Sequence, residues 1–390
     1  MQPEGASQVR RRLLEHLGGA PDAVEAVLSY CESPFSLERT VPVPVLPLAE
    51  EPHVADWRRY ASGAGSEPFA YLQERIPQLC VPIAKGISGS EPYRAVARRG
   101  ERFEERDFGG RLQLERPAQL RLHIHEHPAG ALPVLSTPCR EDFETLSRAF
   151  AFRSEPEPIA GAVNARMVAG FINWDRVHAY RRGFEAEQGS AGWSAEMQRV
   201  ARAEPWRFHD RLMLTCARPY SAVPAAELGL ALSEAEWLER SDLLRTEHEF
   251  THYATKRVFG AMSLNLLDET LCDFMGMTLA LGSFRSDQFL RFMGLQAFPE
   301  VHADGRIHTY TEQLPEAAFP LLCAVTVRAS QALERLAGRW YTPAQRSRML
   351  LALCPLTLEL LASDAAEDLF AAHWQVAGGL LGSGPEVRTR

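Results

Sequence analysis

Residues 248–252 read His248-Glu249-Phe250-Thr251-His252, and after a turn residues 268–273 read Asp268-Glu269-Thr270-Leu271-Cys272-Asp273. The first stretch lies in a segment with the marks of a helix over Leu230–Gly260. Ser233-x-x-Glu236 is a capping box, apolar residues follow at helical spacing, and Gly260 is a fitting stop. Ser241-Asp242 is a point where this segment could break into a short helix followed by a second one. Histidines four apart on a helix project from one face, so both imidazoles can reach one cation. Glu249 stands about 100° round the helix from His248, beside such an ion rather than on it.

Glu269 and Asp273 are also four apart, on a second helix expected over Asn265–Leu281, with Gly276 and Ala280 continuing their face. Small residues there would let the two helices approach closely, so that Glu269 supplies a third ligand while Asp273 holds the ring N–H of a ligating histidine. Two histidines and one carboxylate leave a position open for water, which is the composition of a catalytic zinc site rather than a structural one. In such a site Glu249 can take a proton from the water that Zn2+ acidifies, and the expected reaction is hydrolysis of an amide or peptide bond. The same ligand types suit mononuclear Fe2+ and oxidative chemistry on a small molecule. Glu249-x-x-His252 is also half of a di-iron bundle site, but the sequence holds no convincing second Glu-x-x-His. A binding protein with a vestigial site is the third class.

His248-Glu249-x-x-His252 with a downstream Glu269-x-x-x-Asp273 resembles the gluzincin branch of the zincin metallopeptidases, which includes thermolysin-like and aminopeptidase-like enzymes. The resemblance covers residues 233–282 and implies His248, His252 and Glu269 as zinc ligands, Glu249 as general base and Asp273 as the partner of a ligating histidine. The interval from His252 to Glu269 is shorter than in thermolysin-like enzymes, which leaves Asp268 and Asp273 as alternative third ligands. The whole chain is also similar to bacterial proteins that carry the same motif. In gluzincins a downstream Tyr or His often donates to the oxyanion. Here His302, Arg306, His308 and Tyr310 surround a turn at Asp304-Gly305. Tyr310 or His308 is the expected oxyanion donor, and Arg306 is expected to grip a substrate carboxylate.

Composition bounds the partners. A chain of 390 residues with 46% hydrophobic and 24% charged residues suits a globular enzyme with two or three subdomains. Its formal charge of -8 argues against nucleic acid and anionic membranes, and leaves a peptide or small amide-containing substrate. No feature of the chain sets an oligomeric state. Seven scattered cysteines without a CxxC pair read as reduced thiols in the cytoplasm. The N-terminus lacks a continuous apolar stretch after Arg10-Arg11-Arg12, so no signal peptide is expected. The apolar run Met349–Leu358 contains Pro355 and is too short to span a bilayer.

The remaining segments imply an α+β fold: an N-terminal mixed α/β part with a sheet, then the metal helix of a zincin-like site and a mainly helical C-terminal part. The expected divisions are 1–50 (two short helices and a Pro-rich strap at 41–47), 51–230 (mixed α/β), 231–381 (helical, carrying the metal site) and a disordered tail from 382. Helices are expected over Phe69–Ile76, Glu91–Arg99 and Glu141–Phe152, and from an Asp175 N-cap onward, with His178 structural. The turn Lys85–Ser90 before the second of these could hold a carboxylate or phosphate, helped by Tyr93, Arg94 and Arg98, but Ser and Pro at a helix start favour a plain capped helix. Leu112–Val134 reads as strands, and the small residues of Ile159–Trp174 could form tightly packed strands or let a substrate backbone approach. His123, His125 and His127 alternate in the former, so three imidazoles on one strand face could bind a metal and are the rival to the helical pair, while Pro128, Gly130 and the missing fourth ligand favour a polar strand edge or one or two histidines lining a cleft.

Overall fold

The computed structural model describes residues 3–35, 45–204, 206–262 and 265–381. Among them are sixteen α-helices and one four-stranded mixed sheet, an α+β arrangement with the sheet in the first half and mainly helices after it. Most of the expected strap, 41–44, and the expected tail from 382 lie outside the described residues. No described helix is long and apolar enough to cross a membrane.

The chain divides into two units, Glu50–Arg218 and the combination of Met1–Ala49 with Pro219–Arg390. The expected separate segment 1–50 is corrected by this division, because its side chains are committed to the C-terminal helices. Arg10 Nη2 lies 2.9 Å from the buried Glu359 carboxylate, and the Tyr30 hydroxyl donates to the Tyr310 carbonyl at 3.0 Å. The expected boundary near 230 also moves back to 218, since residues from Tyr220 onward pack against the long central helix.

In the unit Glu50–Arg218 the sheet consists of β1 (Arg121–His125), β2 (Leu132–Thr137), β3 (Ala165–Ile172) and β4 (His209–Cys216), in the order β1-β2-β4-β3. β2 pairs antiparallel with β1 and parallel with β4, and β3 closes the other edge antiparallel to β4. A central strand is covered on both faces, and every residue of β2 is buried accordingly. The helix Arg140–Ala151 packs Phe143, Leu146 and Phe150 into a core with Trp57, Leu212 and Leu214. Beside that core the buried Asp210 accepts from Trp57 Nε1 at 2.8 Å and Asn173 Nδ2 at 2.7 Å and pairs with Arg176. Asn173, not Asp175, caps the helix Trp174–Gln188, accepting from the Arg176 N–H at 3.4 Å. Asp175 instead accepts from the Tyr60 hydroxyl at 2.8 Å. His178 reaches the Gly100 carbonyl at 3.1 Å, the structural part expected of it.

The two rival ligand sites weighed in this unit are accounted for by the chain's own groups. β1 ends at His125, so His127 has left the strand, and its Nδ1 accepts from the Ala129 N–H at 3.0 Å. His123 is exposed while His125 and His127 are buried, and the three form no metal-holding group among the described residues. At the Lys85–Ser90 turn the chain supplies its own anion. The Glu155 carboxylate accepts from Gly86 N at 2.7 Å and Ser88 N at 2.8 Å, bonds that hold its pKa below the usual carboxylate value.

In the other unit the helices Pro3–His16 and Pro21–Tyr30 join Glu234–Phe259, Leu266–Leu281, Phe319–Trp340, Arg346–Leu353 and Ala366–Gly378. Leu14, Val27, Phe250, Phe274, Leu322, Leu353 and Phe370 on these helices are all fully buried. The two helices that carry the histidines and acids of the motif, Glu234–Phe259 and Leu266–Leu281, pack directly on each other.

Candidate metal centre

The long helix Glu234–Phe259 has 26 residues and runs without a break through Ser241-Asp242. Its capping box is formed as expected, and Gly260 ends it with φ 70°. Ser241 does not break the helix because its hydroxyl is used laterally, accepting from the Tyr220 N–H at 3.0 Å. Asn265 caps the partner helix by accepting from the Asp268 N–H at 3.1 Å.

The pair is an antiparallel hairpin whose register can be followed in steps of one turn. Arg240 Nη1 reaches the Ala280 carbonyl, Leu244 faces Gly276, His248 faces Asp273, and His252 faces Asp268. Gly276 is required for the close approach. A Cβ built on it would stand 2.7 Å from the Leu244 carbonyl oxygen, a contact that only backbone movement could relieve.

This register sets both imidazoles around one carboxylate. Glu269 presents Oε2 to His248 Nε2 and Oε1 to His252 Nε2, each at 3.3 Å. Ligand atoms about 2.0–2.1 Å from a tetrahedral ion stand about 3.3–3.4 Å from one another. Each contact taken singly has that spacing, but the two go to different oxygens of Glu269, and the three residues whose ligand atoms all lie within 4.8 Å of one another are His248, His252 and Cys272. His248, His252 and Glu269 are 4–7% exposed. The Nδ1 atoms on the far sides of the rings are held by the other two acids, Asp273 Oδ1 at 2.8 Å from His248 and Asp268 Oδ2 at 3.1 Å from His252. Asp268 and Asp273, the alternatives for third ligand, are thereby engaged at the opposite ring edges.

Electrostatics follow the same plan. Burial works against charge on His248, but Asp273 and Glu269 outweigh it and raise its pKa to about 9. His252 is raised in the same way, with burial outweighed by Cys272, Asp268 and Glu269. Burial likewise opposes the charge on Glu269, yet the two histidines hold its pKa well below the usual carboxylate value. Without a metal, then, the cluster is an internal ion pair of carboxylates and protonated rings.

Asp273 is the most heavily engaged acid. Besides His248 it accepts from the Tyr220 hydroxyl at 2.5 Å and from Arg306 Nη2, and Arg306 Nη1 donates to Ser221 Oγ at 3.0 Å. Ser221 and Ala222 hold φ of 50° and 58°, a conformation that costs non-glycine residues about 1–2 kcal/mol each. The bonds of Tyr220 to Ser241 and Asp273, and of Trp237 Nε1 to the Val223 carbonyl at 2.9 Å, keep this segment against the helix.

The expected site residues meet different fates. Glu249 is half-buried and has no hydrogen bond or ion pair with any described residue, whereas its neighbour Glu247 is buried and paired with Arg346. Tyr310 is drawn to the cluster: the Arg306 guanidinium lies 5.8 Å from its ring centroid. Burial first, and Glu269 among its other neighbours, raise the phenol's pKa. The expectation for Arg306 is corrected, because its charge is matched by Asp273 rather than offered to a substrate carboxylate. The expectation for His308 is corrected too: it is exposed, lies 3.2 Å from the His302 carbonyl, stacks on Phe319, and contacts none of the clustered residues.

Two tyrosines of the site carry no mark in the sequence. Tyr220 reaches the site from 28 positions before His248, and its hydroxyl lies 3.0 Å from His248 Nδ1. Tyr30 comes from the second helix of the chain. Its hydroxyl accepts from the Leu266 N–H at 2.9 Å and donates to the Tyr310 carbonyl, so it joins the start of the helix that carries Glu269 to the Tyr310 turn. No local spacing signals either residue, since each contact is made by the tertiary fold.

No curated protein and no solved structure matches the chain. A family model does match, over residues 12–365, nearly the whole length. On that match the chain belongs to DUF7005, a family of unknown function.

Proposed function

We propose that this chain is a zinc-dependent hydrolase of the metallopeptidase kind, cleaving an amide or peptide bond in a peptide or small amide-containing substrate. The observation that carries the reading is the pair of 3.3 Å contacts from His248 Nε2 and His252 Nε2 to the two oxygens of Glu269, with each Nδ1 backed by its own carboxylate. Held by these three residues, a zinc ion supplies Lewis acidity and lowers the pKa of water. Glu249, unpaired among the described residues, accepts the proton of the attacking water and returns it to the leaving nitrogen. Tyr310, whose raised pKa keeps it protonated, is the O–H donor for the developing oxyanion. Asp273 and Asp268 hold the ring tautomers that leave both Nε2 atoms free to ligate, while Arg306 and Tyr220 hold Asp273. All seven cysteines are buried and unbridged, which suits a reducing compartment, the cytoplasm.

Metal analysis of protein purified without chelator tests the reading. One zinc per chain is expected, and stoichiometric iron with optical absorption would move the assignment to an oxidative enzyme. Asp273→Asn and Asp268→Asn are each expected to weaken zinc binding by about 10–100-fold, the usual effect of removing a carboxylate behind a ligating histidine. A chelator competition assay measures this, and wild-type affinity in both variants would count against the arrangement.

Zinc affinity should also depend on pH in a definite direction. The pKa of His248 in the folded chain, about 9, lies above its ordinary 6.5. The stability this group gives the metal-free fold is therefore full below pH 6.5 and lost as pH rises through 9. Zinc must displace that proton, so its affinity rises with pH across the same window and levels off above it. Affinity that is flat between those limits would contradict the protonated state assigned to the metal-free cluster.

A further inference from the structure

Cys272 has no part in the chemistry proposed above, yet it sits against both histidines. Its Sγ and one ring nitrogen of each of His248 and His252 all lie within 4.8 Å of one another, and its side chain is wholly buried. Its Sγ donates to Asp268 Oδ1 at 3.9 Å. Around a tetrahedral ion with metal–sulfur bonds of about 2.3 Å and metal–nitrogen bonds of about 2.05 Å, sulfur and nitrogen stand about 3.6 Å apart. Closing up from a spacing of at most 4.8 Å takes about 1–1.5 Å between any two of these atoms, a distance that small rotations of the three side chains cover. Glu269 and Cys272 are one turn apart on the same helix, so the histidine pair has two neighbours of opposite chemical character. One is a hard oxygen donor and the other a soft sulfur donor.

We infer that the histidine pair serves two alternative ligand sets, His248, His252 and Glu269 for zinc, and His248, His252 and Cys272 for a thiophilic cation such as Cd2+ or Cu+. The inference rests on the proposed zinc reading in sharing its two histidines, and it adds a way in which that site is blocked. Entry of the soft cation breaks the S–H bond and forms a metal–sulfur bond, with the proton leaving toward Asp268 and then solvent; no electron is transferred. The other six cysteines are buried too, but none joins a comparable group among the described residues.

The test is a titration of the metal-free full chain with Cd2+, read by the ultraviolet thiolate-to-cadmium charge-transfer band, beside a parallel titration with Zn2+. A band that saturates at one cadmium per chain is expected, absent from Cys272→Ser and retained in Glu269→Gln. Zinc should behave conversely, bound by Cys272→Ser within a few-fold of the unmodified chain and weakened strongly in Glu269→Gln. Absence of the band, or a band undiminished in Cys272→Ser, overturns the inference, while zinc binding through Glu269 in the same experiment would leave the hydrolase reading standing. Failure of both ions to bind the unmodified chain overturns both. Cadmium-edge X-ray absorption of the unmodified protein decides the matter even if Cys272→Ser does not fold: one sulfur in the coordination shell supports the second ligand set, and a shell of nitrogen and oxygen alone overturns it.

Discussion

Replacement of Glu249 by glutamine is expected to lower amide hydrolysis by about 10²–10⁴-fold, the usual contribution of a positioned general base, while zinc stays bound at one per chain. The expectation follows from how the acids around the helix pair are used. Glu269 faces both Nε2 atoms, Asp273 and Asp268 hold the Nδ1 atoms, and Glu247 pairs with Arg346. Of these acids Glu249 is the one with no hydrogen bond or ion pair among the described residues, so its carboxylate is available to take a proton. Glutamine keeps the shape and removes the basicity, and the loss should fall on kcat rather than KM. Turnover of a panel of peptides and simple amides, with metal analysis of the same samples, measures both halves. Undiminished turnover in Glu249→Gln would remove Glu249 from the role of base.

The second large effect concerns the carboxylate between the imidazoles. Glu269→Ala is expected to weaken zinc binding by more than the roughly 100-fold upper range for a supporting carboxylate such as Asp268 or Asp273, because a ligand itself is lost. The cavity left behind is flanked by two rings whose Nε2 atoms stood 3.3 Å from the missing oxygens, and Asp268 and Asp273 are held at the opposite ring edges. Competition with a chromophoric chelator ranks the three variants directly. If Glu269→Ala bound zinc as well as Asp268→Asn does, the third ligand would be another group, and Cys272 is the neighbour placed to be that group.

What could be read from the sequence was what is local. The Ser233-x-x-Glu236 box, the four-residue spacing of His248 and His252, the face shared by Glu269, Asp273 and Gly276, and the Gly260 stop all lie within one helical hairpin, and all appear in the structure where the spacing puts them. The expected break at Ser241-Asp242 does not occur, because the hydroxyl that could have competed for helix backbone bonds is taken by Tyr220. Tyr220 and Tyr30 were illegible for a related reason: each reaches the cluster from a distant part of the chain, and nothing in the neighbouring residues signals it. The joining of residues 1–49 to the C-terminal helices depends on long-range pairs such as Arg10 with Glu359, which composition along the chain cannot reveal. In the sheet, alternation suggested strands but not the parallel pairing of β2 with β4, and it kept His127 in a strand that ends two residues earlier.

Arg306 shows the limit of reading chemistry from residue type. An arginine beside a candidate active-site turn invites a role in binding an anionic substrate, but here the anion is Asp273. The consequence is a chain of support running from Ser221 through Arg306 and Asp273 to His248, with Tyr220 bonded alongside. Such support fixes the ring whose Nε2 faces Glu269, and with it the geometry on which the proposed zinc site depends.

Diffraction at the zinc absorption edge from crystals grown with Zn2+ tests that arrangement most directly. The predicted result is one anomalous peak within about 2.0–2.2 Å of His248 Nε2, His252 Nε2 and a Glu269 oxygen, with a fourth position open. A peak bound at His123, His125 or His127, or no zinc between His248 and His252, would contradict it.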